Sequence, residues 1–348
     1  MSDKIVVRID ASSLKESGCG LRFFLQTYKG YTPKGGTAND LVYGSAFHKG
    51  VETYDLTEGD KHKALQAGLE YWEANQEGIF VKDNSKHLNA AHLTVALTRY
   101  FSEVNTNPIF TDQQPLKIGE SILVEQKFSI VIYEDDRIKI LLQGTIDRLA
   151  EIKRTAAILI DDWKTSKAWD KDSFFEGFKC SPQLRTYVWA LKRLAFMYPD
   201  GELGQLVKDK KIYACIHAAF LKTPIGVEFG RSQLIPFSSG DMEDFEILLM
   251  GAVSSLVRDI EDHLTTGKYP LPDGILNGNC QAPYGGMCKY FSVCSSLVGT
   301  PDNTDRVRLM TGLLNSKMDK REYRPLKFGG EGKLKDETNT QTENSNKG

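Results

Sequence analysis

The chain has 348 residues, 41% of them hydrophobic, which is enough for one large domain with insertions or for a core with one small subdomain. Its formal net charge of −2 gives no sign of a nucleic-acid binder that works through bulk positive charge. No apolar run approaches the roughly 18–20 residues of a membrane helix, and the first residues lack a secretory signal pattern, so we expect a cytoplasmic protein without membrane segments.

Hydrophobic periodicity and turn signals predict a helical first third, then a three-strand meander, a helix, two further strands and a long helix. In chain order these are a strand at 4–9, a helix from Ser12 or Ser13 toward Gly30, helices at 41–56, 60–77 and 88–104, strands at 121–133, 138–152 and 156–164, a helix at 183–196, strands at 211–221 and 228–237, and a helix at 241–266. From about residue 326 the chain is polar and predicted to be disordered. The order predicts a mixed α/β fold with a central sheet flanked by helices.

The most informative segment is the apolar run 157–164, which ends in Asp162-Trp163-Lys164. Strand side chains alternate, so Asp162 and Lys164 share a face. The preceding predicted strand carries a second carboxylate, Asp147. Two carboxylates and a lysine on buried strands suit Mg²⁺ or Mn²⁺ and an attacking water, with the backbone carbonyl of Trp163 as a further ligand. The alternative is a surface strand whose lysine pairs with an aspartate.

His48 and Glu52 lie one helical turn apart in a G-x-x-x-H-x-x-x-E phrase, and Gln183 and Tyr187 form a QxxxY motif. Together with Asp147, Asp162 and Lys164, these motifs, in this order, resemble the RecB-like branch of the PD-(D/E)XK nucleases. The resemblance implies a restriction-endonuclease-like core, metal binding by His48, and a role for Gln183 and Tyr187 in positioning DNA or the catalytic lysine. Without it, a lone helical histidine is structural. Glu125, one strand before Asp147, is expected to be structural, with an approach to the metal as the alternative.

Six cysteines are present, and three of them cluster within fifteen residues, which indicates metal rather than disulfides in an intracellular protein. With Cys19 far upstream, the set Cys19, Cys280, Cys288 and Cys294 resembles the layout of iron–sulfur members of this branch, such as the AddB nuclease domain and CRISPR-associated adaptation nucleases. That resemblance implies a 4Fe–4S cluster joining the two ends of the fold. The spacing departs from C-x-x-C-x5-C, as in stand-alone, often phage-encoded members, so structural Zn²⁺ and no metal stay open. Cys180 and Cys215 are expected to be ordinary buried thiols.

Basic residues outnumber acidic ones from Lys164 to Arg193, directly after the predicted site. Phosphate contacts by such residues supply non-specific affinity for DNA. A solvated helix face is the alternative. The predicted DNA contacts are Lys167, Lys171, Lys179 and Arg185.

The resemblance covers residues 10–295 and implies a Mg²⁺- or Mn²⁺-dependent deoxyribonuclease. We expect an exonuclease on single-stranded or end-containing DNA in replication, recombination or repair, with proteins of those processes as candidate partners. An endonuclease, or a nuclease-fold DNA-binding subunit, is the alternative. The sequence contains no phosphate-binding loop of the kind that would indicate a helicase motor. We expect four parts: a helical N-terminal part at 1–110, a nuclease core at 111–270, a segment with the clustered cysteines at 271–300, and an extension with the polar tail at 301–348.

Overall fold

A computed structural model describes residues 4–34, 37–77, 79–81, 85–223, 226–276, 278, 280, 287–297, 300 and 303–320. Within these residues the chain forms two compact units. The first comprises 4–34, 129–144 and 240–320, and the second comprises 37–128 and 145–239. The polar tail predicted from about residue 326 lies outside the described residues.

The helices of the described residues are α1 (Ala11–Leu14), α2 (Gly20–Thr27), α3 (Asn39–Leu56), α4 (Lys61–Ala74), α5 (Ala90–Glu103), α6 (Pro108–Thr111), α7 (Lys171–Glu176), α8 (Pro182–Met197), α9 (Glu202–Val207), α10 (Ser239–Thr266), α11 (Phe291–Ser295) and α12 (Asn303–Lys317). The strands are β1 (Ile5–Ile9), β2 (Tyr31–Pro33), β3 (Thr37–Ala38), β4 (Ile79–Phe80), β5 (Gln113–Pro115), β6 (Lys117–Ile118), β7 (Ser121–Ile122), β8 (Val124–Glu134), β9 (Ile138–Ile152), β10 (Ala157–Ser166), β11 (Ile212–Leu221), β12 (Val227–Arg231), β13 (Ile235–Pro236) and β14 (Met318–Lys320). No described helix is both long enough and apolar enough to span a bilayer.

The first unit pairs the N-terminal strand with the first part of a long strand. β1 runs parallel to β9, from Ile5 beside Ile138 to Ile9 beside Leu142. Helix α2 is amphipathic and buries its apolar face, and the ring of Phe24 lies 5.2 Å from that of His263 in α10. These contacts tie segments from both ends of the sequence into one unit.

The second unit contains most of a mixed sheet. β10 runs antiparallel to β9, with Asp161 opposite Arg148, and parallel to β11. β12 and β13 are antiparallel to β11, and β5 is antiparallel to the end of β9. The parallel pair β10–β11 requires a crossover, which α7, α8 and α9 supply. Helix α3 packs on β10, and α8 packs on β10 and β11. The predicted mixed α/β class is confirmed.

An aromatic cluster forms the core on one face of this sheet. The indole of Trp163, only 2% exposed, stacks on Phe110 at 5.8 Å and contacts Tyr100 at 5.3 Å and Phe47 at 5.9 Å. Because strand residues alternate, Asp162 and Lys164 lie on the opposite face of β10 from this indole. The buried indole therefore fixes which face of the strand carries the acid and the lysine.

Three predicted elements were wrong in detail. The strand expected at 121–133 is divided into β7, which pairs with β6, and β8, which pairs with β9. The helix expected from Ser12 or Ser13 is two helices, because Asp10 is the cap: its side chain accepts from Ser13 N at 2.6 Å, and Cys19 then adopts an extended backbone before α2. The strand expected at 228–237 is interrupted, since Ile216 N–H donates to the Ser232 hydroxyl at 3.0 Å in place of a carbonyl. Helix α12 was not predicted.

Candidate active site

The two strand carboxylates meet through the pairing of β9 with β10. Asp161 lies opposite Arg148, which brings the neighbouring Asp147 to the backbone of Trp163. Trp163 N–H donates to Asp147 Oδ2 at 2.8 Å. Burial raises the pKa of Asp147 to about 6, although the charge of Lys164 opposes that rise. The register of two strands thus places a perturbed carboxyl beside the D-x-K segment.

Asp162 and Lys164 form a direct ion pair through Asp162 Oδ2. The Asp162 side chain is fully buried and that of Lys164 is 26% exposed, so this is not a pair on a solvated strand. Burial raises the pKa of Asp162 to about 6, against the lowering by Lys164. Burial lowers the pKa of Lys164, but Asp162 and Asp147 outweigh it and the pKa is raised. Lys164 is therefore a stable cation beside both carboxyls.

Helix α3 brings His48 against the strands because a glycine allows close contact. A Cβ on Gly44 would stand 3.0 Å from Thr165 Oγ1 of β10. His48 lies one turn later on the same face, and its Nδ1 is 3.4 Å from Asp147 Oδ2. Burial and the charge of Lys164 lower the His48 pKa to about 4. The imidazole is neutral at pH 7 and keeps a lone pair for a metal.

Glu125 completes the constellation. Its φ is 49°, in the left-handed region that non-glycine residues adopt only when the surroundings hold them there. Burial, followed by the charges of Asp147 and Glu52, raises its pKa to about 8. Ligand atoms of His48, Glu125 and Asp147 all lie within 4.8 Å of one another. The structure thus favours the alternative for Glu125 over the expected structural role.

A cavity of about 10 Å³ lies between these side chains, lined also by Glu52 and Trp163. That is about the space of one water or one ion. Neutral His48 and two carboxyls of raised pKa, Glu125 and Asp147, form one nitrogen-and-oxygen donor set around this space. The residues present therefore fit a divalent cation held by nitrogen and oxygen ligands.

Helix α8 supplies Gln183 and Tyr187 from its first turns. Ser181 caps the helix and Pro182 occupies its first position, which leaves Gln183 directed at β10. The Gln183 amide donates to Asp162 Oδ1 at 2.9 Å and to the Tyr187 oxygen at 2.9 Å. Gln183 of the predicted QxxxY pair therefore binds the acid of the D-x-K segment, and Tyr187 accepts from the same amide.

Behind the site lies a buried ionic cluster that the sequence did not indicate. Arg148 donates from Nε to Asp161 Oδ2 at 2.8 Å and reaches Asp55 at 3.3 Å. His217 Nδ1 is 2.5 Å from Asp161 Oδ1, and its ring stacks on Trp163 at 5.0 Å. Burial raises the Asp161 pKa, but His217 and Arg148 outweigh it and hold that pKa well below its usual range. The adjacent charged residues in Asp147-Arg148 and Asp161-Asp162, on two apolar strands, were the sequence feature that could have predicted this cluster.

The four predicted DNA contacts lie in the second unit, each with a partner. Lys167 lines a groove with His48 and Lys164, and it pairs with Asp40 at 3.5 Å. The other contacts are between Lys171 and Glu228 at 2.6 Å, Lys179 and Glu176 at 2.6 Å, and Arg185 and the Lys179 carbonyl at 3.0 Å. Lys167 shares that groove with His48 and Lys164, and the DNA role of all four residues stays a prediction.

The cysteines divide by unit. Cys19, Cys280, Cys288 and Cys294 all belong to the first unit, where Cys288 N–H donates to the Cys280 carbonyl at 2.8 Å. Burial, then the neighbouring thiols Cys288, Cys19 and Cys280, raise the Cys294 pKa to about 11.

The remaining two cysteines lie in the second unit. Cys215 is buried as expected, with its sulfur 3.7 Å from Asp161 Oδ1. The expectation for Cys180 was wrong, since it is exposed after α7, where no core element covers it.

Comparison with protein families decides the assignment. The model of the PD-(D/E)XK nuclease superfamily matches residues 14–295. The chain belongs to the PD-(D/E)XK nuclease superfamily. No curated protein compared with the chain matches it. Membership implies a metal-dependent nuclease that acts on DNA, and the acidic site around Asp147 is the candidate place for the divalent ion.

Proposed function

We propose that this PD-(D/E)XK protein is a Mg²⁺- or Mn²⁺-dependent deoxyribonuclease of the RecB-like type that acts on single-stranded or end-containing DNA. One observation carries the proposal: ligand atoms of His48, Glu125 and Asp147 converge on an ion-sized cavity next to the buried Asp162–Lys164 pair. Such a pair is costly in a core unless the chemistry needs it.

The side chains divide the work of phosphodiester hydrolysis. His48, Glu125 and Asp147 would hold the ion, with Asp162 and the Trp163 carbonyl as further predicted ligands. A bound divalent cation acidifies water and neutralises charge on the phosphate. The Lys164 ammonium orients the attacking water and stabilises negative charge that develops on phosphate oxygens. Gln183 fixes Asp162 through its amide, so that the acid and the lysine keep their geometry.

The ligand set supports Mn²⁺ as well as Mg²⁺. Mg²⁺ prefers oxygen ligands, whereas an imidazole nitrogen is well suited to the softer transition ions. His48 is neutral at pH 7 because of its lowered pKa, and so its nitrogen is available without loss of a proton. We therefore propose that Mn²⁺ supports activity at lower concentration than Mg²⁺.

The substrate preference follows from what the chain lacks and what surrounds the site. This sequence contains no phosphate-binding loop of the kind found in motors that separate a duplex. A groove of about 320 Å³ leads from His48 and Lys164 past Lys167. A groove of this size suits an unpaired strand, and its lysine suits a phosphate. An exonuclease in replication, recombination or repair is the corresponding role.

The four cysteines of the first unit support a 4Fe–4S cluster as a second metal centre in addition to the divalent ion. Thiolates at about 2.3 Å from one zinc ion would lie about 3.8 Å from each other. Within the described residues, the groups of three or more ligand atoms within 4.8 Å of one another include none of these four sulfurs. Because this spacing is wider than one zinc ion requires, while Cys288, Cys19 and Cys280 lie close enough to raise the pKa of Cys294, we favour a cluster over a single Zn²⁺.

A cleavage assay with four conditions tests the function. Labelled linear single strands and covalently closed duplex circles are each incubated with the protein, with and without Mg²⁺ or Mn²⁺. We expect metal-dependent degradation of the linear strands and intact circles. Cutting of the circles at an equal rate would identify an endonuclease. Strand binding without cleavage in either metal would identify a DNA-binding subunit.

A further inference from the structure

Trp169 is exposed in a position where nothing in the fold requires an indole. It is 74% exposed, whereas the chain's other tryptophans, Trp72, Trp163 and Trp189, are 5%, 2% and 6% exposed. Trp169 follows β10 in the loop before α7, five residues after Lys164. A fully extended chain spans at most about 3.6 Å per residue, so the two Cα atoms lie within about 18 Å. The indole is therefore within a few nucleotides of the carboxylate site.

The two chain segments that line the groove beside the site lead to this indole. His48 and Lys164 line the groove together with Lys167 and Leu221. Trp169 lies two residues after Lys167, and Lys222 directly follows Leu221. Lys222 Nζ is 5.6 Å from the centre of the Trp169 ring. The same two chain segments that line the groove thus continue into an aromatic ring with a cation beside it.

The surroundings of the ring carry positive charge. Lys171 and Lys222 share a single carboxylate, Glu228, at 2.6 Å and 3.5 Å. Both ammonium groups also lie over the ring of Phe220, at 5.3 Å and 6.0 Å. The two ammonium groups have one carboxylate, Glu228, between them, so a phosphate can compete for the more distant of the two, Lys222. The Phe220 ring is fully buried, so it supports this surface from below.

We propose that Trp169 is a stacking platform for an unpaired base of single-stranded DNA whose phosphodiester lies at the carboxylate site, with Lys222 next to a flanking phosphate. An exposed indole offers a flat face to any base, and a neighbouring cation binds the backbone, which is the combination that sequence-tolerant single-strand binding uses. The inference rests on the proposed nuclease function. It adds a specificity-determining residue that favours unpaired over paired DNA.

The affinity for single-stranded DNA, measured without metal so that no cleavage occurs, tests the role of Trp169. A short labelled single strand is titrated in EDTA with wild type, Trp169→Ala, Trp169→Phe and Phe196→Ala. The Phe196 ring is 78% exposed and has Arg193 at 6.0 Å, but it lies at the far end of α8 and is a matched control. We expect Trp169→Ala to weaken binding by about 5- to 150-fold, the range measured for one base stack. Trp169→Phe should retain most of the affinity, and Phe196→Ala should leave it unchanged.

An abasic scan identifies the contact. Removing one base at a time from the strand should weaken wild type most at one position, and that loss should vanish in Trp169→Ala. Equal affinity of wild type and Trp169→Ala overturns the inference, and so does an equal loss in Phe196→Ala. A cleavage assay of the wild-type protein with Mn²⁺ separates the stacking platform from the nuclease function. If the wild type cleaves DNA and Trp169→Ala binds the strand as tightly as wild type, only the platform is rejected. If the wild type binds in a base-dependent way but does not cleave, only the nuclease function is rejected.

Discussion

Asp161 and Asp162 are neighbours with opposite ionisation behaviour. Burial acts on both, but Asp161 faces His217 and Arg148, which hold its pKa well below the usual range. Asp162 faces Lys164 and the like charge of Asp147, and its pKa is raised to about 6. Strand alternation sends one carboxylate to a structural cluster and the other to the site. The Asp-Asp pair thus combines a scaffold residue and a functional one.

The proposed ligands should control metal affinity more than folding. His48→Ala and Glu125→Gln should each raise the Mn²⁺ concentration for half-saturation at least about tenfold, because each removes one of three convergent donors. Excess Mn²⁺ should partly restore activity to His48→Ala. Isothermal titration of Mn²⁺ measures the change, with Glu120→Gln, an exposed carboxylate in a second cavity that Glu125 also lines, as the control. An unchanged titration for His48→Ala would return that histidine to a structural role.

Metal binding should release protons near neutral pH. The pKa values are about 8 for Glu125 and about 6 for Asp147 and Asp162, so part of these carboxyls is protonated at pH 6–7. A divalent ion binds only the deprotonated forms. Affinity should therefore rise from pH 6 to 8 and level off above it. Titrations at pH 7 in two buffers of different ionisation enthalpy count the protons, and an identical affinity at pH 6 and pH 8 would contradict the assignment.

At the scale of elements, the site depends on how β9, β10, β11 and α3 are held together. Arg148 of β9, Asp161 of β10, His217 of β11 and Asp55 of α3 form one buried ionic cluster. Each member comes from a different element, and two of them adjoin the proposed catalytic carboxylates, Asp147 and Asp162, in sequence. The cluster therefore sets the relative position of the elements that carry Asp147 and Asp162.

Breaking the cluster should destabilise the fold. Arg148→Met leaves Asp161 and Asp55 buried without their common partner, and removal of one member of a buried pair costs about 3–5 kcal/mol. Denaturant unfolding measures the loss. Arg137→Met, at an exposed position just before the same strand, should change the free energy of unfolding by less than about 0.5 kcal/mol. A loss for Arg148→Met as small as that of the control would show that the cluster contributes little.

Element prediction succeeded where a local pattern and the packing agree. The strand predicted at 138–152 has those bounds, because its hydrophobic residues continue through a strand buried along most of its length. No sequence pattern predicted that Glu125 lies beside His48 and Asp147. Its position depends on its own left-handed backbone within β8 and on its proximity to residues of α3 and β9. His217 was missed for a similar reason: its partners are 56 and 108 residues away in sequence.

At the scale of the whole molecule, the cysteine centre would join distant parts of the sequence. Cys19 and Cys280 lie about 260 residues apart, and closing a loop of this length contributes on the order of 5 kcal/mol in the chain-entropy model. Metal–thiolate bonds add to that contribution. The first unit, which draws on segments from both halves of the sequence, would depend on this connection.

Serine substitution tests the centre. Cys19→Ser, or serine at Cys280, Cys288 or Cys294, should abolish the visible absorbance of anaerobically purified protein and lower its thermal stability. Exposed Cys180→Ser is the control and should change neither. Wild type should contain about four irons. A colourless wild type with one zinc would retain the connection and reject the cluster, and a stable metal-free wild type would reject both.

We propose that Asp162 and Lys164 act with a divalent ion to hydrolyse DNA. The most direct measurement is the single-turnover rate on a linear single strand in Mn²⁺ for wild type and Asp162→Ala, with circular dichroism to verify the fold. We predict a loss of several orders of magnitude for Asp162→Ala, because the acid lies between the lysine and the amide of Gln183 at the metal site. A folded Asp162→Ala variant that cleaves at the wild-type rate would contradict the account.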